Sequence, residues 1–301
     1  MRICSFLPSA TEILFALGVG ECVAGVTFEC DYPPEAAGKP VVVHTVLAAG
    51  LTPEQIDEAV RRQAAAGASL YFVDLAQLQA IQPDVIVTQD LCHVCALSAP
   101  DLAIALGELR SKPLVISLSP HTLEQVFADI ETVGAAVGRS HRASALVEDL
   151  RQRVARVRQR VYPAPGPRVL CLEWLAPLYQ GGHWIPEMIE LAGGRPVLAT
   201  AGQRSVRLSW PEVLAADPEV LILMPCGFGL RQTIEQYDEM TLPEGWGSLS
   251  AVREGRVYGV DGSAYFSRPG PRLVDGLEIL GAILRGDQFD HLPAESVVRL
   301  A

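Results

Sequence analysis

Positive charge is in short supply. The 301 residues hold 24 lysines and arginines against 35 acids, a formal net charge of −11. No basic stripe with interleaved aromatics offsets that balance, which argues against a nucleic-acid partner, because phosphate neutralisation dominates such affinity. Long apolar runs are missing too: none reaches the roughly twenty residues that span a bilayer. Charged residues make up only 20% and hydrophobic ones 49%, so the chain has a sizeable core and is not disordered. The seven cysteines are an odd number with no regular, disulfide-like spacing. Catalytic signatures are absent as well, with no G-x-S-x-G, no H-E-x-x-H, no P-loop and no Rossmann glycine fingerprint. An enzyme is not expected.

The N-terminus, MRICSFLPSATEILFALG, is apolar yet lacks the parts of an export signal. Only Arg2 is basic, Pro8 interrupts the run, and Glu12 stands where apolar continuity is needed. The same residues read as a buried strand from Ile3 to Leu7, then a capping box, Ser9-Ala10-Thr11-Glu12, opening a helix. Ile13, Leu14 and Leu17 follow at helical spacing, and Gly18 and Gly20 end it. On this reading the protein is cytoplasmic and its thiols are reduced.

Short apolar runs alternate with helical patterns along the chain. Strands are expected at 2–7, 23–27, 41–43, 70–73, 85–88, 114–118, 168–173, 220–224 and 257–260. Helices are expected at 10–17, 53–66, 75–81, 101–110, 122–137, 186–192, 210–216 and 272–285. This is an α/β pattern of parallel sheets covered by helices. Between the halves, Val147, Leu150, Val154, Val157 and Val161 recur at spacings of three and four, an amphipathic helix over 140–161 that YPAPGP terminates. The expected organisation is an N-terminal α/β lobe over 1–139, a linking helix over 140–162 and a C-terminal α/β lobe over 163–301. Two doubly wound lobes joined by one long helix would leave a ligand cleft between them. The halves also share a phrase: LAQLQAIQPDVIV from Leu75 resembles WPEVLAADPEVLI from Trp210, each a helix, a Pro-acid turn and a buried strand.

SFLPSATEILFALG, GVTFECDYP, the two helix–turn–strand phrases and the closing AYFSRPGPRLVDGLEIL together resemble the substrate-binding proteins of iron-siderophore, heme and vitamin B12 ABC importers, the class III periplasmic-binding-protein-like family. The resemblance covers nearly the whole chain, interrupted by an apparent insertion around 44–70. It implies a rigid two-lobed clamp around cobalamin or a related corrinoid or tetrapyrrole such as heme, and a monomer that binds a small molecule. It also implies a docking glutamate seven residues before each proline of the shared phrase. Ala76 and Pro211 stand there instead, which puts docking to an ABC permease in doubt; the adjacent Glu212 lies in its own capping box, Ser209-Trp210-Pro211-Glu212.

Candidate ligand contacts fall in loops after strands, where flat apolar faces with a few polar groups suit a large planar ligand. They are Pro8, Phe28, Glu29, Tyr32 and Gln89 in the first half. In the second half they are Trp174, Tyr179, His183, Trp184, Phe228, Tyr265, Phe266 and Arg268. The resemblance matches Pro8, Tyr179 and Phe266 in kind to cleft contacts, and sets Glu29, Gln89 and Ser205 where aromatics are expected. Arg268 suits a propionate, phosphate or carboxylate. Cys92-His93-Val94-Cys95 is the sharpest local signal: Cys92, Cys95 and His93 form half of a soft-metal site, which Cys30, Cys226, His44 or His183 could complete. Buried inert thiols and redox chemistry are the other readings of that loop, and a metal-binding or corrinoid-processing protein that uses it is the alternative function. Cys4 and Cys171 belong to strands and to the core.

Overall fold

The computed structural model describes residues 1–48, 50–89, 99–161 and 165–301. They divide into two compact units, Met1–Pro120 with Gln125–Glu148, and His121–Glu124 with Asp149–Ala301.

The first unit runs β1 (Ile3–Ser5), α1 (Pro8–Ala16), β2 (Val23–Thr27), β3 (Val41–Thr45), α2 (Pro53–Ala65), β4 (Tyr71–Val73), α3 (Leu75–Ile81), β5 (Val85–Gln89), α4 (Ala99–Gly107), β6 (Leu114–Leu118) and most of α5 (Leu123–Ala136). Its sheet has the order β4-β3-β2-β1-β5-β6. The central strands are parallel and valine- and isoleucine-rich because both faces are covered. Cys4, Phe6, Val42, Leu78 and Ile86 form the core, each aliphatic contributing about 1.5–3 kcal/mol by burial.

The capping box expected at Ser9 is not the helix start. Leu7 is the N-cap and Pro8 the first helical residue. The fixed φ of proline suits that position and draws the start forward. Ser9 is left inside the first turn, buried, with its Oγ unpartnered. Thr11 Oγ1 instead donates to Ser5 Oγ at 2.8 Å, and Ser5 Oγ donates to the Leu7 carbonyl at 2.9 Å. At α2 a capping box does form: Thr52 N–H donates to Gln55 Oε1 at 2.9 Å and Gln55 N–H to Thr52 Oγ1 at 3.4 Å.

α6 (Ser140–Gln159) is one continuous helix, two residues shorter than expected, and the division between the units falls within it. Its stripe of Val147, Leu150 and Val157 is buried.

The second unit continues with β7 (Arg168–Leu175), β8 (Leu178–Gln180), α7 (Ile185–Leu191), β9 (Arg195–Pro196), α8 (Trp210–Ala216), β10 (Val220–Leu223), α9 (Leu230–Glu239), α10 (Ser250–Arg253), β11 (Val257–Val260), α11 (Gly262–Tyr265), α12 (Leu273–Arg285) and β12 (Val297–Arg299). Its sheet has the order β12-β11-β10-β7-β8, with β9 also on β7. Within this unit α6 is tied to α12: Arg153 Nε donates to Glu278 Oε1 at 3.0 Å, and the same guanidinium also pairs with Asp275. Neither sheet is wholly parallel, because β4, β8 and β12 run antiparallel at the edges. The shared phrase is a shared structure: α3 and α8 each end on a left-handed residue, Gln82 (φ 49°) and Asp217 (φ 41°), before a proline and a buried strand.

Candidate functional site

In an open α/β sheet a ligand site forms beyond the carboxyl ends of the strands, where the strand order reverses. In the first unit the chain winds outward from β1 through β2 to β3 and returns to β5 on the other side of β1. The reversal therefore lies between β1 and β5. Pro8 follows the end of β1 and Gln89 ends β5, so both candidates stand at that point. Phe28, Glu29 and Tyr32 follow β2; Phe28 and Tyr32 are 42% and 45% exposed, and the Phe28 ring lies 6.3 Å from Tyr71. Cys30 is buried, its Sγ 3.1 Å from Thr11 Oγ1, and His44 stacks on Phe72. Cys92, His93 and Cys95 lie outside the described residues. Among the described residues no group of three or more His, Cys, Asp and Glu is placed to hold a metal ion.

In the second unit the reversal lies between β7 and β10. Trp174, near the end of β7, and Phe228, in the loop after β10, meet there with ring centroids 5.5 Å apart. Tyr179 on β8 is the cross-strand partner of Trp174, which puts both side chains on one face of the hairpin. Trp174 Nε1 donates to the Ala176 carbonyl at 3.0 Å, fixing the indole, and Cys226 N–H donates to the Glu173 carbonyl at 2.9 Å, fixing the loop. The result is a partly exposed aromatic surface.

Two of the aromatics chosen from sequence are interior. Trp184 and Phe266 are 5% and 3% exposed, and Trp184 Nε1 donates to the Phe266 carbonyl at 2.9 Å. They join the GGHW loop to the segment after α11. Tyr265 lies under the Arg272 guanidinium at 5.8 Å, and Arg268 Nη2 donates to Ser263 Oγ at 3.1 Å.

His183 is held by its backbone: its N–H donates to the Gln203 carbonyl at 2.6 Å, and its own carbonyl accepts from Gly202 N–H at 2.9 Å. Its φ is +53°, in the left-handed region. The ring lies 5.3 Å from His121 and 5.6 Å from Trp184, and its Nε2 is buried without a partner. Burial, then the neighbouring His121 and Arg204, push its pKa down to about 4, so the imidazole is neutral at physiological pH. Leu123 N–H donates to Glu187 Oε2 at 2.9 Å, which holds the segment carrying His121 against α7. Beside this loop is a cavity of about 540 Å³, lined by His121, Gln180, Leu198, Thr200, Gln203 and Arg204 among others. Sequence reasoning passed over His121 and all of the cavity loop except Ser205. They come from segments roughly sixty to eighty positions apart and show no local pattern.

These features define a mixed α/β protein of two sheets with ligand-type residues at both strand-order reversals. The family described as periplasmic binding protein matches residues 3–264, and the chain belongs to it. That family is one of substrate-binding proteins rather than enzymes. The ABC transporter substrate-binding lipoprotein YvrC of Bacillus subtilis (strain 168) is 24% identical across 96% of this chain and 81% of its own length. The vitamin B12-binding protein of Vibrio cholerae serotype O1 is 23% identical across 92% of this chain and 86% of its own. The solved structure of the periplasmic heme-binding protein RhuT from Roseiflexus sp. RS-1, in apo form, is 25% identical with a TM-score of 0.70, covering 96% of this chain and 99% of that one.

The family overturns the cytoplasmic expectation, since the relatives are periplasmic or lipoprotein substrate-binding proteins outside the cytoplasm. The expectation rested on residues near Ser9 and Glu12 that fold as core. A buried strand and helix show how those residues pack and carry no information about compartment.

Proposed function

We propose that this substrate-binding protein takes a cobalamin, a related corrinoid or a heme as its ligand. The observation that carries the reading is the cluster of Trp174, Tyr179 and Phe228 at the strand-order reversal of the second unit. Partly exposed rings, with the Trp174 indole fixed by its hydrogen bond to the Ala176 carbonyl, give an apolar surface suited to a macrocycle. Relatives named for vitamin B12 and for heme support that ligand class. Pro8, Phe28, Tyr32 and Gln89 are the proposed contacts of the first unit, and Arg268 the polar one of the second. Membership of an ABC importer follows from the family, but permease docking through glutamates at the shared phrase is not expected. Ala76 and Pro211 occupy those positions. The Glu212 carboxylate already accepts both Ser209 N–H and Ser209 Oγ–H at 2.7 Å.

Absorption titrations with cyanocobalamin, cobinamide and hemin test the reading. Saturation at micromolar concentration or below, about 8 kcal/mol or more, is expected with at least one of them. Trp174→Ala should weaken it by roughly tenfold or more, as loss of a buried aromatic anchor does. Absence of saturation with all three ligands would sink the proposal.

A further inference from the structure

His183, His121 and Gln180 have a chemistry that the aromatic face does not use. The GGHW loop is built to hold one ring still. A Cβ on Gly182 would lie 2.4 Å from the Ser205 backbone nitrogen, so only glycine fits before His183. A non-glycine residue in the left-handed region is strained, and such residues gather at functional sites. The ring so held has a buried Nε2 with no partner. Gln180, three residues earlier and 2% exposed, lines the cavity and has an unpartnered Oε1. A buried polar atom without a partner keeps its desolvation cost uncompensated unless a ligand meets it. The His121 ring, on the cavity wall, completes the group at 5.3 Å from His183.

The spacing of the two rings distinguishes possible occupants. A metal–nitrogen bond of about 2.0–2.1 Å puts an imidazole centroid about 3.1 Å from the metal. Two imidazoles cis on one tetrahedral ion then have centroids about 5.1 Å apart, whereas trans ligands on either side of a macrocycle are about 6.2 Å apart. The observed 5.3 Å fits the cis pair. We propose that His183, His121 and Gln180 form a site for one divalent transition-metal ion of the borderline class, such as Co²⁺, Ni²⁺ or Zn²⁺, reached through the cavity. Imidazole nitrogens with one amide oxygen suit that class.

The probe is Co²⁺ alone, added to the full chain with Cys92→Ser and Cys95→Ser so that thiolates at those positions cannot contribute. Visible ligand-field bands should grow saturably, with a Kd of about 10 µM or tighter. His183→Asn, which tolerates a positive φ, and His121→Ala should each weaken binding by roughly tenfold or more. Unchanged metal-free melting curves show that the variants fold, and either variant serves alone if the other does not. No saturable binding, or binding that a folded variant leaves unchanged, overturns the site. Parallel titrations use hemin and cobinamide: variants that weaken a macrocycle but not Co²⁺ assign the rings to that ligand and also overturn it. Failure of the macrocycles to bind at all would count against the proposed function and leave the ion site standing.

Discussion

At the scale of single residues, two half-buried groups pull the pH dependence of stability in opposite directions. His183 has a folded pKa of about 4 against an ordinary value of 6.5. As pH falls below 6.5 the unfolded chain takes up this proton first, so stability is full above about 6.5 and is lost down to about 4. Asp129, on α5, has an unpartnered Oδ2, and burial raises its pKa from 3.8 to about 6. Here the folded state holds the proton, so a penalty grows as pH rises from 3.8 to 6 and persists above. A full shift of two units corresponds to about 3 kcal/mol, and partial solvent access reduces that to about 1–2 kcal/mol. In metal-free buffer Asp129→Asn should therefore stabilise the protein by about 1–2 kcal/mol at pH 7 and by almost nothing at pH 4. His183→Asn should flatten the loss between pH 6.5 and 4. Urea midpoints at the two pH values check both, and an Asp129→Asn gain that is equal at both would show that the carboxyl is not the cause.

At the scale of elements, periodic segments with sharp ends were legible in the sequence. The parallel strands and the longer helices stand close to where hydrophobic spacing places them, because burial on both faces leaves a run of Val, Ile and Leu that nothing else explains. The edge strands β8, β9 and β12 were missed, as were the four-residue helices α10 and α11. Segments of two to four residues are too short to show a period. α9 was missed although Leu230, Thr233, Ile234 and Tyr237 recur at helical spacing, because its remaining positions are polar and Thr233 is its one buried residue. The candidate site was half legible. Residues that follow strands could be named, but sequence could not tell that Trp184 and Phe266 point inward while Trp174 and Phe228 stay partly open. Phe266 packs on helix α12 at Gly276, which lets the Tyr265 carbonyl approach to 2.2 Å from where a Cβ would be. Gly276→Val should force these elements apart and cost about 3 kcal/mol or more, through overpacking against backbone that cannot yield. Arg153→Ala tests the other fixed contact of α12. Removing the guanidinium leaves Asp275 and Glu278 facing each other without a cation, and a loss of about 1–3 kcal/mol is expected in thermal or urea unfolding. A change below a few tenths would show that water replaces the arginine at no cost.

At the scale of the whole molecule, the distribution of one residue type makes the two units separately visible. All four tryptophans, Trp174, Trp184, Trp210 and Trp246, belong to the second unit, so tryptophan emission reports its unfolding, while far-ultraviolet dichroism reports helices of both. A ligand that binds only the folded state raises stability by about 2.7 kcal/mol at a hundred times its Kd. For chains of this size each kcal/mol moves a midpoint by about 2–4 °C, so a rise of roughly 5–10 °C is expected. If the macrocycle rests on Trp174, Tyr179 and Phe228, the emission-peak transition must move by the full amount in wild type and much less in Trp174→Ala. If Pro8, Phe28, Tyr32 and Gln89 share the binding energy, the dichroism transition must move with it. A saturating corrinoid or heme that shifts the dichroism transition but leaves the tryptophan one in place would remove the ligand from the second unit altogether. The proposed aromatic face would then have no part in binding.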